Sequence, residues 1–88
     1  MYPYLTFADE TLVTHSDLQN EDGVDRVVVH FERPREGGFD SARCVLPDYA
    51  WSFCDGFSEE EQMFFDEFLT HNAHLLYRYA AAGGIHCA

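Results

Sequence analysis

A chain of 88 residues suffices for one domain, which buries only roughly 60–65% of its unfolded surface and has little volume for both a core and a deep pocket. Its net charge of −11, from sixteen acidic residues against five arginines and no lysine, opposes phosphate backbones and anionic membranes, so neither nucleic acid nor a membrane is expected as a partner. Aromatic residues make up 16% of the chain, and some of those rings are expected to serve a protein partner or a second copy of the chain.

The first ten residues, MYPYLTFADE, have no basic region and reach acidic residues by Asp9, so they do not read as a signal peptide. No apolar run is long enough to span a bilayer. The cysteines, Cys44, Cys54 and Cys87, are odd in number and form no C-x-x-C pair, and Cys87 is penultimate, which does not fit a prenylation box. These features predict a cytoplasmic protein with free thiols.

In chain order, Tyr4 to Ala8 and Thr11 to Leu18 lean towards β structure, and Asp9-Glu10 between them reads as a tight turn. Whether the two stretches are one bent strand or two is open at this level. Asn20-Glu21-Asp22-Gly23 is a turn signal, because Asp-Gly tolerates positive φ. Val24 to Arg33 is the clearest strand, with Val27, Val29 and Phe31 on one face and Arg26, Val28, His30 and Glu32 on the other. Pro34 is expected to end it. Arg35 to Gly38 then forms a hairpin loop, and Phe39 to Leu46 returns with Ala42, Cys44 and Leu46 on one face. Pro47 to Phe57 reads as a connection rich in rings, folded back as an apolar lid or presented as a sticky surface.

The strongest pattern lies in Phe57 to Gly84. Ser58 followed by Glu61 is a capping box, Glu59 to Glu61 complement the helix dipole, and Gly83-Gly84 supplies a left-handed terminus. Steps of 100° place Phe64, Phe65, Phe68, Leu69, Leu75, Leu76, Tyr79 and Ala80 on one broad face. Asn72 falls in the middle of it. A buried amide without partners costs about 1–3 kcal/mol, so Asn72 is expected to act as a structural polar pin, bonded to backbone of a facing strand or of the 47–57 connection. Ile85 is expected to pack on the last turn.

Few residues suggest chemistry. On the outer helix face Glu67, His71 and His74 share a stripe that could form a facial metal triad, although Arg78 in the same stripe repels a cation. The plainer reading is a solvated face with a Glu67–His71 pair. Cys54 lies shortly before the helix start, where the dipole favours a thiolate and Asp55 disfavours it. His15 and His30 read as surface or cross-strand residues. No nucleophile elbow, zinc-protease motif, P-loop or dinucleotide fingerprint is present, so no catalytic residue and no cofactor are implied. Tyr49, Trp51 and Phe53 in the connection, with Met63 and Tyr77 opposite the helix's core stripe, are candidates for an interaction surface.

Glu36–Phe39 reads EGGF, Leu46–Tyr49 reads LPDY, and Gly56 is followed by SEEE at Ser58–Glu61. Over Glu36–Glu61 the chain resembles HicB-type antitoxins, whose small sheet carries a glycine-aromatic hairpin, a Pro-Asp turn and an acidic helix start. That resemblance implies a protein that binds and blocks a basic toxin. The chain departs from the pattern in a longer glycine to Pro-Asp spacing and in lacking a final strand and a DNA-binding segment. Taken whole, it also looks like small bacterial families without an assigned activity, which supply no residue roles.

The sequence therefore predicts a single α+β domain: a sheet over about 3–46, an aromatic connection over 47–57, a helix over about 58–82 and a tail over 83–88. The sheet is expected to be an antiparallel β-meander of three or four strands, with the one long helix packed on one face. Its expected function is that of an acidic cytoplasmic interaction module binding a basic protein partner or forming a homodimer. The alternatives are a small metal-binding or catalytic protein using Glu67, His71 and His74, and a structural subunit without activity.

Overall fold

The computed structural model describes residues 1–84, so the expectations for Ile85 and Cys87 lie outside the described residues. Six strands precede one helix: β1 (Tyr2–Thr6), β2 (Leu12–His15), β3 (Gln19–Glu21), β4 (Val24–Arg35), β5 (Gly38–Leu46), β6 (Ala50–Asp55) and α1 (Glu59–Ala82). All neighbours are antiparallel, in the order β1-β2-β4-β5-β6, with the short β3 paired to the start of β4. The fold is the predicted antiparallel sheet with a C-terminal helix, built from six strands rather than three or four.

The first β stretch is two strands. Its turn closes with Glu10 N–H donating to the Phe7 carbonyl and Phe7 N–H donating to the Thr11 carbonyl, while Glu10 takes φ 72°. The β4–β5 hairpin supplies the sheet's half of the core through directly opposed pairs: Val27 with Leu46, Val29 with Cys44, Phe31 with Ala42. All six are fully buried. Pro34 does not end β4, which continues to Arg35. Since β2 stops opposite Glu32, Pro34 sits where β4 has a single neighbour, the setting in which sheets accept proline.

The expected aromatic connection is mostly strand β6. A register shift between Arg43 and Cys44 sets Trp51 opposite Cys44 on the core face and Phe53 opposite Arg43 on the outer face. Strict alternation would have put both rings on one side; the bulge separates them.

The capping box forms at the start of α1, with Glu61 N–H donating to Ser58 Oγ at 3.1 Å and Ser58 N–H donating to Glu61 Oε1 at 3.0 Å. Such a cap stabilises a helix by about 1 kcal/mol. Gly83 closes α1 with φ 78°. Phe65, Leu69, Leu76 and Ala80 are buried against the sheet in one contiguous core. Polar ties hold the helix along its length: Trp51 Nε1 donates to Asp66 Oδ1 at 2.8 Å, Tyr4 Oη to Asn72 Oδ1 at 2.7 Å, and Tyr77 Oη to the Asp25 carbonyl at 2.9 Å.

Candidate functional site

The core stripe of the hairpin changes character at its end. Period-two alternation carries the inward face of β4 from Phe31 to Arg33, and that of β5 from Ala42 back to Asp40, which stands directly opposite Arg33. Asp40 is 2% exposed. It accepts from Arg33 Nε at 2.9 Å and from Arg35 at 2.6 Å. Arg33 also pairs with Glu61 in the first turn of α1 and with Asp9 at 3.3 Å, and its guanidinium lies 4.7 Å from the centroid of the Phe57 ring. One arginine thus fastens the β1–β2 turn, the β4–β5 hairpin and the helix start together.

These contacts set the local electrostatics. Glu61 is held below the ordinary carboxylate range by the Ser58 N–H and by Arg33. Asp9 is lowered by Thr11, whose backbone N–H donates at 3.0 Å, and by Arg33. Arg33 in turn is raised above an ordinary arginine by Glu61 and Asp40.

Directly beside this junction lies an open cleft of about 450 Å³, lined by Phe7, Ala8, Asp9, Glu60, Glu61, Phe64 and Phe65. Its floor and walls are aromatic: Phe7 stacks on Phe65 with centroids 6.2 Å apart, and Phe64 meets Phe7 edge-on at 5.4 Å. Its rim is acidic. The site arises because the β1–β2 turn brings Phe7 and Asp9 against the first two turns of α1. Phe64, expected in the core, is 53% exposed; it lies one residue off the line of Phe65 and Leu69 and therefore lines the cleft.

No family model, curated protein or solved structure matches this chain.

The structure divides the sequence-predicted interaction residues. Met63 is 69% exposed, and Tyr49 and Phe53 are partly exposed. Trp51 faces inward, 5.7 Å from Phe31 and bonded to Asp66. Tyr77 packs against the core rather than opposite it, because its hydroxyl reaches the Asp25 carbonyl near the start of β4. Asn72 is half-buried. Its oxygen accepts from Tyr4 and its amide donates to the Phe68 carbonyl at 2.8 Å, so its tertiary partner is a side chain of β1 instead of strand backbone.

Glu67, His71 and His74 are exposed, and among the described residues no group of three or more His, Cys, Asp or Glu side chains is placed to hold a metal ion. Cys44 and Cys54 are free thiols. Burial raises both, Cys44 to about 12, and Asp55 adds to the effect at Cys54. His15, read as a surface or cross-strand residue, is paired across strands with Tyr2 and Val29 and is fully buried beneath Tyr2 and Tyr4, with Nδ1 2.9 Å from the Ser16 carbonyl. Burial lowers His30, aided by Arg43 across the ladder.

The sequence reading missed Phe7, Arg33, Asp40 and the role of Phe64. For Arg33 and Asp40 the signal was present, since the alternation that identified Phe31 and Ala42 extends two residues further. Phe7 gave no such signal, because it lies past the end of β1, where strand periodicity has stopped.

Proposed function

We propose that this chain is an acidic protein-interaction module of the cytoplasm, acting by binding a basic protein partner. The observation that carries the reading is the cleft: an open aromatic floor bordered by carboxylates on a chain of charge −11. Ionised carboxylates only accept hydrogen bonds, and the neighbouring donor, Arg33, is already engaged with three of them. A complementary surface therefore brings cations and apolar side chains together. Negative potential also speeds encounter with a basic protein. The resemblance to HicB-type antitoxins points to the same class of partner. A second copy of the chain is disfavoured by repulsion between two strongly acidic surfaces.

The test is size-exclusion chromatography with light scattering of the chain in its native lysate, at low and at high salt. The reading expects a complex at low salt that dissociates at high salt. A lone monomer at both, or a dimer of the chain alone, would contradict it.

A further inference from the structure

The docking face can be located, and the pattern of the partner segment follows from it. We infer that α1 presents Glu60, Met63, Phe64 and Glu67 to a segment of a partner protein carrying an apolar anchor flanked by two basic residues. This inference rests on the interaction reading above.

Three observations converge. First, the carboxylates of the cleft rim and of the adjoining helix surface are not equivalent. Asp9 and Glu61 are already paired with Arg33, whereas among the described residues no arginine pairs with Glu60 or Glu67. Glu60 on the cleft rim and Glu67 further along α1 therefore carry negative charge that no arginine offsets. Second, positions i, i+3, i+4 and i+7 share one helical face, so Glu60 and Glu67 bracket Met63 and Phe64. The two carboxylates are separated by about 10 Å along the axis, from a rise of 1.5 Å per residue. Third, Met63 at 69% and Phe64 at 53% exposure are among the most exposed large apolar side chains, and Phe64 forms a wall of the cleft. Exposed apolar side chains both on the cleft wall and on the outer helix surface suit a polypeptide segment better than a small cation.

In the resulting arrangement the anchor side chain sits in the cleft against the contacting rings of Phe7 and Phe64. The flanking cations reach Glu60 and Glu67. The partner's charges must be spaced like those of α1, one pair about two helical turns apart. A segment with the same anchor and acidic flanks meets repulsion at both ends.

The test uses NMR titration of the full chain with a synthetic amphipathic peptide that has two leucines between arginines seven positions apart. Comparison probes are the same peptide with glutamates for arginines, and spermine as a cation without an anchor. The expected result is resonance shifts concentrated at Phe7, Glu60, Met63, Phe64 and Glu67 with the arginine peptide only. Phe64→Ala should weaken binding about tenfold, as loss of a central aromatic anchor does. Glu60→Gln and Glu67→Gln should each weaken it about threefold and reduce its salt dependence. Both positions are exposed, so the variants keep the fold.

Equal shifts with the glutamate peptide or with spermine would overturn the inference, as would shifts confined to β6 or to the outer sheet face. If the lysate complex exists but the peptide maps elsewhere, the docking face is wrong and the interaction reading stands. If no lysate complex forms, the interaction reading itself fails.

Discussion

Arg33 and Asp40 stand directly opposite each other at the far end of the β4–β5 core stripe, and the Arg33 guanidinium holds one Asp40 oxygen through Nε at 2.9 Å and its terminal nitrogen at 2.8 Å. Gly56 closes over this pair with φ 89°; a Cβ there would approach the Asp40 Cβ to 2.9 Å and overlap its carboxylate. The junction that supports one side of the cleft is therefore close-packed as well as charged. Asp40→Ala removes one partner and leaves two arginines beside the core. It should lower unfolding stability by about 3 kcal/mol, as breaking buried pairs does. Gly56→Ala should cost about 1–3 kcal/mol from the strained backbone alone, and more from the overlap. Urea denaturation of both variants measures this; unchanged midpoints would show that the junction is peripheral.

Stability should also respond to acid through this junction. Glu61 and Asp9 titrate below their ordinary values of 4.5 and 3.8 in the folded chain, so the unfolded chain takes up their protons first. Their contribution is complete above those ordinary values and disappears as pH falls through the lower folded ones. The thermal midpoint should accordingly drop as pH falls below about 4.5, and Glu61→Gln should start lower at neutral pH but fall less steeply. Parallel curves for the two proteins would remove Glu61 from the account.

An alkaline limit is expected from the core. Cys44 is raised from an ordinary 9.0 to about 12 by burial, so folding disfavours its thiolate. The stability associated with the neutral thiol is fully present below pH 9 and is lost as pH rises towards 12. Tyr4 and Tyr77, raised chiefly by burial, add slope in the same direction. Cys44→Ala should begin less stable and lose less between those limits. The measurement is thermal unfolding across the range; identical slopes would contradict it.

Asn72 ties the helix to β1 through Tyr4. Asn72→Leu and Tyr4→Phe should each cost about 1 kcal/mol, the usual net worth of such a bond. Because both remove the same interaction, the double variant should cost less than the sum of the two. Strict additivity in a double-mutant cycle would mean that the 2.7 Å contact contributes nothing.

Much of this fold could be read from residue order, for local reasons. The capping box from Ser58 to Glu61, the Gly83 terminus and the buried alternation of Val27, Val29 and Phe31 depend on near neighbours, and each appears in the structure. The failures have non-local or irregular causes. A bulge turned Trp51 inward and Phe53 outward, so what read as an aromatic connection, lid or sticky surface, is a strand with one ring in the core. The Asp25 carbonyl, 52 positions away in sequence, drew Tyr77 from the assumed outer surface. Phe64 fell within a helical face drawn too broadly, and its exposure depends on where the β1–β2 turn places Phe7. The cleft was illegible for that reason: it exists only where two distant segments meet, and only the charge of its rim was visible in composition.

The most direct test compares the wild-type chain with Phe64→Ala by light scattering of their native lysates at low salt. The wild-type chain should elute within a larger complex and the variant as a monomer with unchanged circular dichroism. Equal masses for the two, whether both bound or both free, would contradict the proposal that this acidic, aromatic-floored cleft binds a protein partner.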